Sequence, residues 1–144
     1  MRGYQIIGAL VVAFASPCLV GTASASACDD SCRIRAADAY VRALVSHDAR
    51  DVPFADDARR IENGLLTGCS GDDIRVQLEH GPHYWFIQRI YDVRWSVIGN
   101  EVQGTYLLDA SLPAIPIRLA TVQITERFVV SDDGRIRFIE ASIR

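Results

Sequence analysis

Three residues of this chain have the type and setting for acid–base chemistry at carbon: Tyr40, Glu62 and Glu126. Removing a proton next to a carbonyl takes a base within hydrogen-bond reach and a donor for the oxygen on which charge builds. A carboxylate enclosed by apolar groups has its ionised form disfavoured by desolvation, which carries its pKa toward the working pH. Glu126 shares its strand phase with Val122, Ile124, Phe128 and Val130. One carboxyl on an otherwise apolar face must be hydrogen-bonded, paired or protonated, and Arg118, on the same phase, is a candidate partner. Glu62 stands beside the turn pair Asn63-Gly64, where it is either a pocket base or a solvated residue paired with Arg59 or Arg60. Tyr40 borders the apolar stripe of a helix, so its ring faces inward and its hydroxyl needs a partner. From a mid-chain concentration of aromatics, Trp85, Trp95 and Tyr106 are the candidate contacts for a flat or greasy ligand.

Other chemistries have weaker footing. His80 and His83 straddle Gly81-Pro82, which breaks the helix that would align them, and no third ligand stands at zinc spacing, so no metal is expected. All fifteen basic residues are arginine, which excludes a Schiff-base lysine. A Gly-rich phosphate loop and a Gly-x-Ser-x-Gly elbow are absent, so the expectation is of no cofactor. With eighteen acidic residues and a formal net charge of −3, the chain has no electrostatic footprint for nucleic acid.

The elements that must position these side chains follow from periodicity. Ile34, Ala37, Val41, Leu44 and Val45 recur at helical spacing between Asp29 and His47, with Asp29, Asp30 or Ser31 as caps. Val52 to Asp57 reads as a helical turn or loop, and Ala58 to Glu62 as a short strand. Ser70 three residues before Asp73, and Gly81-Pro82 as a stop, bound a second helix over 71–80. The rest is strand-like: Arg89 to Ile98 with Tyr91, Val93, Trp95 and Val97 on one phase, Glu101 to Asp109, Ile117 to Val130 and Arg135 to Ile143. Helices first and long antiparallel strands after them predict an α+β domain whose curved sheet wraps the helices.

The 144 residues, 49% hydrophobic and 23% charged, suit one globular domain. Met1, Arg2 and Tyr4 precede an apolar run from Ile6 to Val20 and the small-residue stretch ending Ala25-Ser26-Ala27, the pattern of a cleaved secretory leader over 1–27. A lipid-modified Cys28 is the competing reading. Export places Cys28, Cys32 and Cys69 in an oxidising compartment. The simplest pairing ties Cys69 to Cys32 or Cys28, closing a loop of about forty residues, and a Cys28–Cys32 bond is the alternative.

The run from Asp38 to Asp48, the segment Phe54-Ala55-Asp56-Asp57-Ala58 leading to Gly64, and Glu126-Arg127-Phe128 with Asp132-Asp133-Gly134-Arg135-Ile136 together resemble SnoaL-like domains of the nuclear transport factor 2-like superfamily. The resemblance covers 28–144. It implies a cone-shaped α+β half-barrel with a deep pocket at its open end, a fold shared by cyclases, ketosteroid isomerases, epoxide hydrolases, dehydratases and non-enzymes. Against the ketosteroid isomerases, Tyr40, eight residues before Asp48, takes the place of the oxyanion-donor tyrosine. Glu62, four residues after Ala58, takes that of the base, with a two-residue insertion near Val52. Their second oxyanion donor, a protonated Asp, falls on Ile124. That departure removes half of the oxyanion hole.

Two functions follow as expectations. One is an exported protein binding a small hydrophobic molecule in its cone; the other is a cofactor-independent isomerase, cyclase, dehydratase or hydrolase using a pocket carboxylate and Tyr40. Removal of the leader leaves no membrane span, and relatives of this kind suggest a homodimer through the sheet.

Overall fold

The computed structural model describes residues 26–144 except Pro113 and Pro116. The expected leader therefore lies, but for its last two residues, outside the described residues. Helix α1 (Asp30–Ser46) is followed by β1 (Phe54–Glu62), β2 (Leu65–Gly68), α2 (Gly71–His80), β3 (Ile87–Ile98), β4 (Glu101–Ser111), β5 (Arg118–Val130) and β6 (Ile136–Ile143). The strands form one sheet in the order β2-β1-β6-β5-β4-β3, antiparallel throughout except where β1 runs parallel to β6. Both helices pack on one face of it, giving the expected α+β architecture. No helix among the described residues is long and apolar enough to cross a membrane.

Each helix starts on a side chain that satisfies a free backbone donor. Asp29 accepts from the Cys32 N–H at 2.8 Å, and Ser70 accepts from the Asp73 N–H at 3.1 Å. The buried face of α1 carries Arg33, Ala36, Ala37, Tyr40, Val41, Ala43 and Leu44, which puts Tyr40 in the middle of the stripe rather than at its border. The Arg33 guanidinium, tucked under the sheet, donates to the Val130 carbonyl and pairs with Asp132 at 2.7 Å.

Two local readings are corrected. The segment expected as a turn or loop is already strand from Phe54, because Phe54 and Ala55 are buried and Phe54 pairs with Ile136. The alternation expected along Arg89 to Ile98 is broken by a bulge at Asp92 (φ 56°), where three steps of β3 oppose two of β4. Beyond it Trp95 and Val97 pair with the buried Gly104 and Val102, whereas Tyr91 pairs with Leu107 and sends its hydroxyl toward Asp109. Bulges such as this one bend the sheet around the helices.

The disulfide joins Cys28 to Cys32, and Cys69 is free and exposed. This corrects the expected pairing of Cys69: it lies just before α2, while Cys28, just ahead of α1, and Cys32, in its first turn, sit together beside Gly134. A bridge closing so short a loop contributes about 2 kcal/mol on chain-entropy grounds, less than the forty-residue loop would. Cys32→Ser should accordingly lower the unfolding free energy by about 2 kcal/mol. Cys69→Ser should leave it unchanged, and urea titrations of the two variants check both.

Candidate functional site

The interior is solid at one end and hollow at the other. Val102, Phe128, Val130, Ile136 and Ile139 are fully buried and fill the end where α1 begins. Toward the opposite end, between the second half of α1, residues 83–87 and strands β4, β5 and β6, lies a cavity of about 290 Å³. That is close to the lower limit of small-molecule sites. Its wall is mostly apolar, with Leu44, Leu108, Val122 and Ile124, and into this wall are set Tyr40, Tyr84, Tyr106, Glu62 and Glu126.

Sheet register explains why the two acids meet. Glu62 on β1 and Glu126 on β5 both pair with Ala141 of β6, so they stand in one row on either side of a methyl group. Two strand spacings separate their backbones, roughly 9–10 Å. Their side chains converge on the same hollow. Tyr106 is the diagonal neighbour of Glu126 across β4 and β5, and its hydroxyl donates to Glu126 Oε2 at 2.8 Å. On the other side the Tyr84 hydroxyl donates to Glu62 Oε1 at 3.2 Å. Each carboxyl thus has its own phenol.

Their electrostatic settings differ. Glu126 is 2% exposed and has no cation partner among the described residues; burial pushes its pKa up to about 8, against the downward pull of the Tyr106 hydrogen bond. Glu62 instead lies 3.6 Å from Arg60, whose side chain has no exposure to solvent. Arg60 has further partners: it donates to Thr67 Oγ1 at 3.1 Å and to Gln77 Oε1 on α2, and its guanidinium lies 5.3 Å from the centre of the Tyr84 ring, while its buried Nη1 has no hydrogen-bond partner among the described residues. Gln77 in turn donates to Asp73 at 2.9 Å, and Asp73 is fixed by the Cys69 N–H at 2.8 Å. The buried charge is therefore tied to the start of α2. Tyr40 packs edge-on against Phe54 and Phe128, with centroids 6.2 and 5.4 Å away. Burial raises the pKa of Tyr40 and of Tyr106 well above the ordinary phenol value, with the Glu126 charge adding to it, so both remain hydrogen-bond donors.

Of the residues singled out in the sequence, Tyr40, Glu62, Glu126 and Tyr106 come together in this cavity. Trp85 and Trp95 are not part of its lining. Trp85 is 52% exposed in the turns that follow Gly81, and Trp95 lies over Gly104 and against Phe128, on the solid side of the core. Arg118 is exposed at the first residue of β5, eight residues from Glu126, and does not pair with it. One residue of the site was not anticipated: Tyr84 lies in an aperiodic stretch that carries no signal. Arg60, expected as a partner of Glu62 in solvent, does pair with it but is fully buried. Among the described residues, no cluster of three or more His, Cys, Asp or Glu side chains could hold a metal ion.

No curated protein matches the chain. Solved structures do, at low identity. A candidate isomerase of the SnoaL-like family from Agrobacterium tumefaciens superposes with a TM-score of 0.62 at 15% identity, over 79% of this chain and 98% of that one. SalBIII, an epoxide hydrolase/cyclase-like enzyme of pyran ring formation in the polyether salinomycin, gives 0.63 at 14% identity, over 81% and 93%. A de novo designed protein with a curved β-sheet also gives 0.63, at 15% identity over 81% and 88%, so likeness of fold by itself assigns no chemistry. The fold is that of the SnoaL-like, nuclear transport factor 2-like proteins. Within that fold the match of residues 27–143 is to the family described as a domain of unknown function (DUF8021), and the chain belongs to it.

Proposed function

We propose that this is an exported protein that takes a small, mostly apolar molecule into the cavity and performs cofactor-independent acid–base chemistry on it, at a carbon next to a carbonyl or at an equivalent oxygen-bearing centre. The observation that carries this reading is the placement of Glu62 and Glu126 on either side of Ala141, one paired with a buried arginine and the other without a cation. Environments that separate the protonation of two neighbouring carboxyls assign an acid and a base. Glu62, held by Arg60 and Tyr84, is the base. Glu126, protonated below about pH 8, donates together with Tyr40 to the oxygen that gains charge. Glu126 thus supplies from the same face of β5, two residues along, the second donor that Ile124 cannot provide. The leader-like residues 1–27 and the Cys28–Cys32 disulfide support export, since such bonds persist outside the reducing cytosol.

The test needs no natural substrate. A small apolar ketone such as cyclohexanone, incubated with the protein in deuterated water, should exchange its α-protons, followed by proton NMR. Glu62→Gln should slow this exchange about 10²–10⁴-fold, the usual worth of a positioned base. The rate should also fall as pH rises through about 8, where Glu126 ceases to donate. Exchange by the parent no faster than by Glu62→Gln would reduce the site to a binding cavity, and native mass spectrometry for a copurifying molecule would then read its occupant.

A further inference from the structure

Apart from Leu65, Leu66, Val76, Val93 and Ile98, the exposed large apolar side chains among the described residues fall in the segments around the opening of the cavity. Trp85, Ile117 and Leu119 are each more than half exposed, and Phe86 and Ile143, at 40% and 41%, are also cavity-lining residues. They belong to one end of the sheet: the Ser111 N–H donates to the Phe86 carbonyl, Ser111 pairs with Arg118, and Ile143 pairs with Ile124. The outer face of the neighbouring strands is polar by comparison, with Arg94, Thr105, Gln123 and Thr125.

Charge is distributed unevenly as well. Beyond residue 27 the chain has eighteen acidic residues and fourteen arginines. Yet across 82–91, 107–124 and 142–144 the only acidic side chain is Asp109, buried and accepting from Thr121 at 2.6 Å. Arg89, Arg118 and Arg144 are exposed in those same segments and take part in no ion pair among the described residues. A rim of Trp, Ile and Leu with arginines and without exposed carboxylates has the chemistry of an interfacial surface that meets anionic headgroups. A second copy is a poor fit, because two such rims would bring arginines together with no acid between them.

We propose that the mouth of the cavity docks on an anionic lipid bilayer, with Trp85, Ile117 and Leu119 entering the headgroup region and Arg89 and Arg118 pairing with lipid phosphates. Docking of this kind lets a lipophilic molecule pass between bilayer and cavity without crossing water, a consequence that rests on the function proposed above. The docking itself does not depend on the chemistry inside.

Co-sedimentation of residues 28–144 with vesicles tests it. Partition into equimolar phosphatidylcholine and phosphatidylglycerol should exceed partition into phosphatidylcholine alone by about tenfold or more, at roughly 1 kcal/mol for each basic residue near the surface. The pair Arg89→Glu with Arg118→Glu should abolish the difference, and Trp85→Ser with Leu119→Ser should weaken binding to both vesicles. Circular dichroism melts and ketone exchange without vesicles, unchanged in the charge-reversal pair, show that fold and cavity are intact. Absence of binding by the parent, equal binding to both vesicles, or a concentration-dependent dimer that these substitutions dissolve would each overturn the docking and leave the cavity chemistry standing.

Discussion

Glu126→Gln is expected to unfold at a markedly higher denaturant concentration than the parent protein at pH 8, and at nearly the same concentration near pH 4. The folded-state pKa of Glu126, about 8, lies above the ordinary value of 4.5. Below pH 4.5 the carboxyl is protonated in both folded and unfolded chains, and its stabilising contribution is fully present. From there upward the unfolded chain gives up the proton while the folded one keeps it, so stability falls with pH until about 8, where the folded carboxyl ionises too. Each pH unit in that window costs about 1.4 kcal/mol, and the whole window roughly 4–5 kcal/mol. Gln has the same shape, accepts the Tyr106 hydrogen bond and does not titrate, so the variant loses this slope. Urea unfolding of both proteins from pH 4 to 9 measures it directly. Parallel curves would mean that the buried acid finds enough solvation in the cavity to behave as an ordinary surface carboxyl.

Removal of the buried guanidinium has a comparable effect and the opposite sign. Arg60→Met should cost about 3–5 kcal/mol, because it leaves Glu62 without a counter-charge in a partly dry wall and Gln77 without its donor. The double variant Arg60→Met with Glu62→Leu should recover most of that loss, since exchanging a whole buried pair for apolar groups of similar volume is close to neutral. A single variant within about 1 kcal/mol of the parent would place this pair with solvent-screened surface bridges and remove the reason for Glu62 to be the base.

Helix α2 was legible to the residue because both its ends are marked locally, by the Ser70 cap and the Gly81-Pro82 stop. Glu126 was legible as an inward acid because its strand phase is uniformly apolar, and burial follows parity. Its proposed partner failed on distance rather than on face: eight residues of strand separate Arg118 from Glu126, about 26 Å of rise, which no side chain spans. Tyr91 and Trp95 could not be placed by alternation, since a single bulge at Asp92 reverses the phase between them and nothing in the sequence marks it. The meeting of Glu62 with Glu126 depends on the parallel pairing of the first strand with the last. Seventy-nine residues separate Glu62 from Ala141, a contact outside the reach of local pattern.

The disulfide and the Cys28 N–H bond to the Asp132 carbonyl anchor the start of the domain at its filled end, away from Phe86 and Ile143. Immobilising the protein through an amino-terminal tag therefore presents the entrance outward to solution, whereas a tether at Arg144, one residue past Ile143, crowds it. Biosensor surfaces prepared in the two orientations should differ in accessible sites although the same molecule is attached.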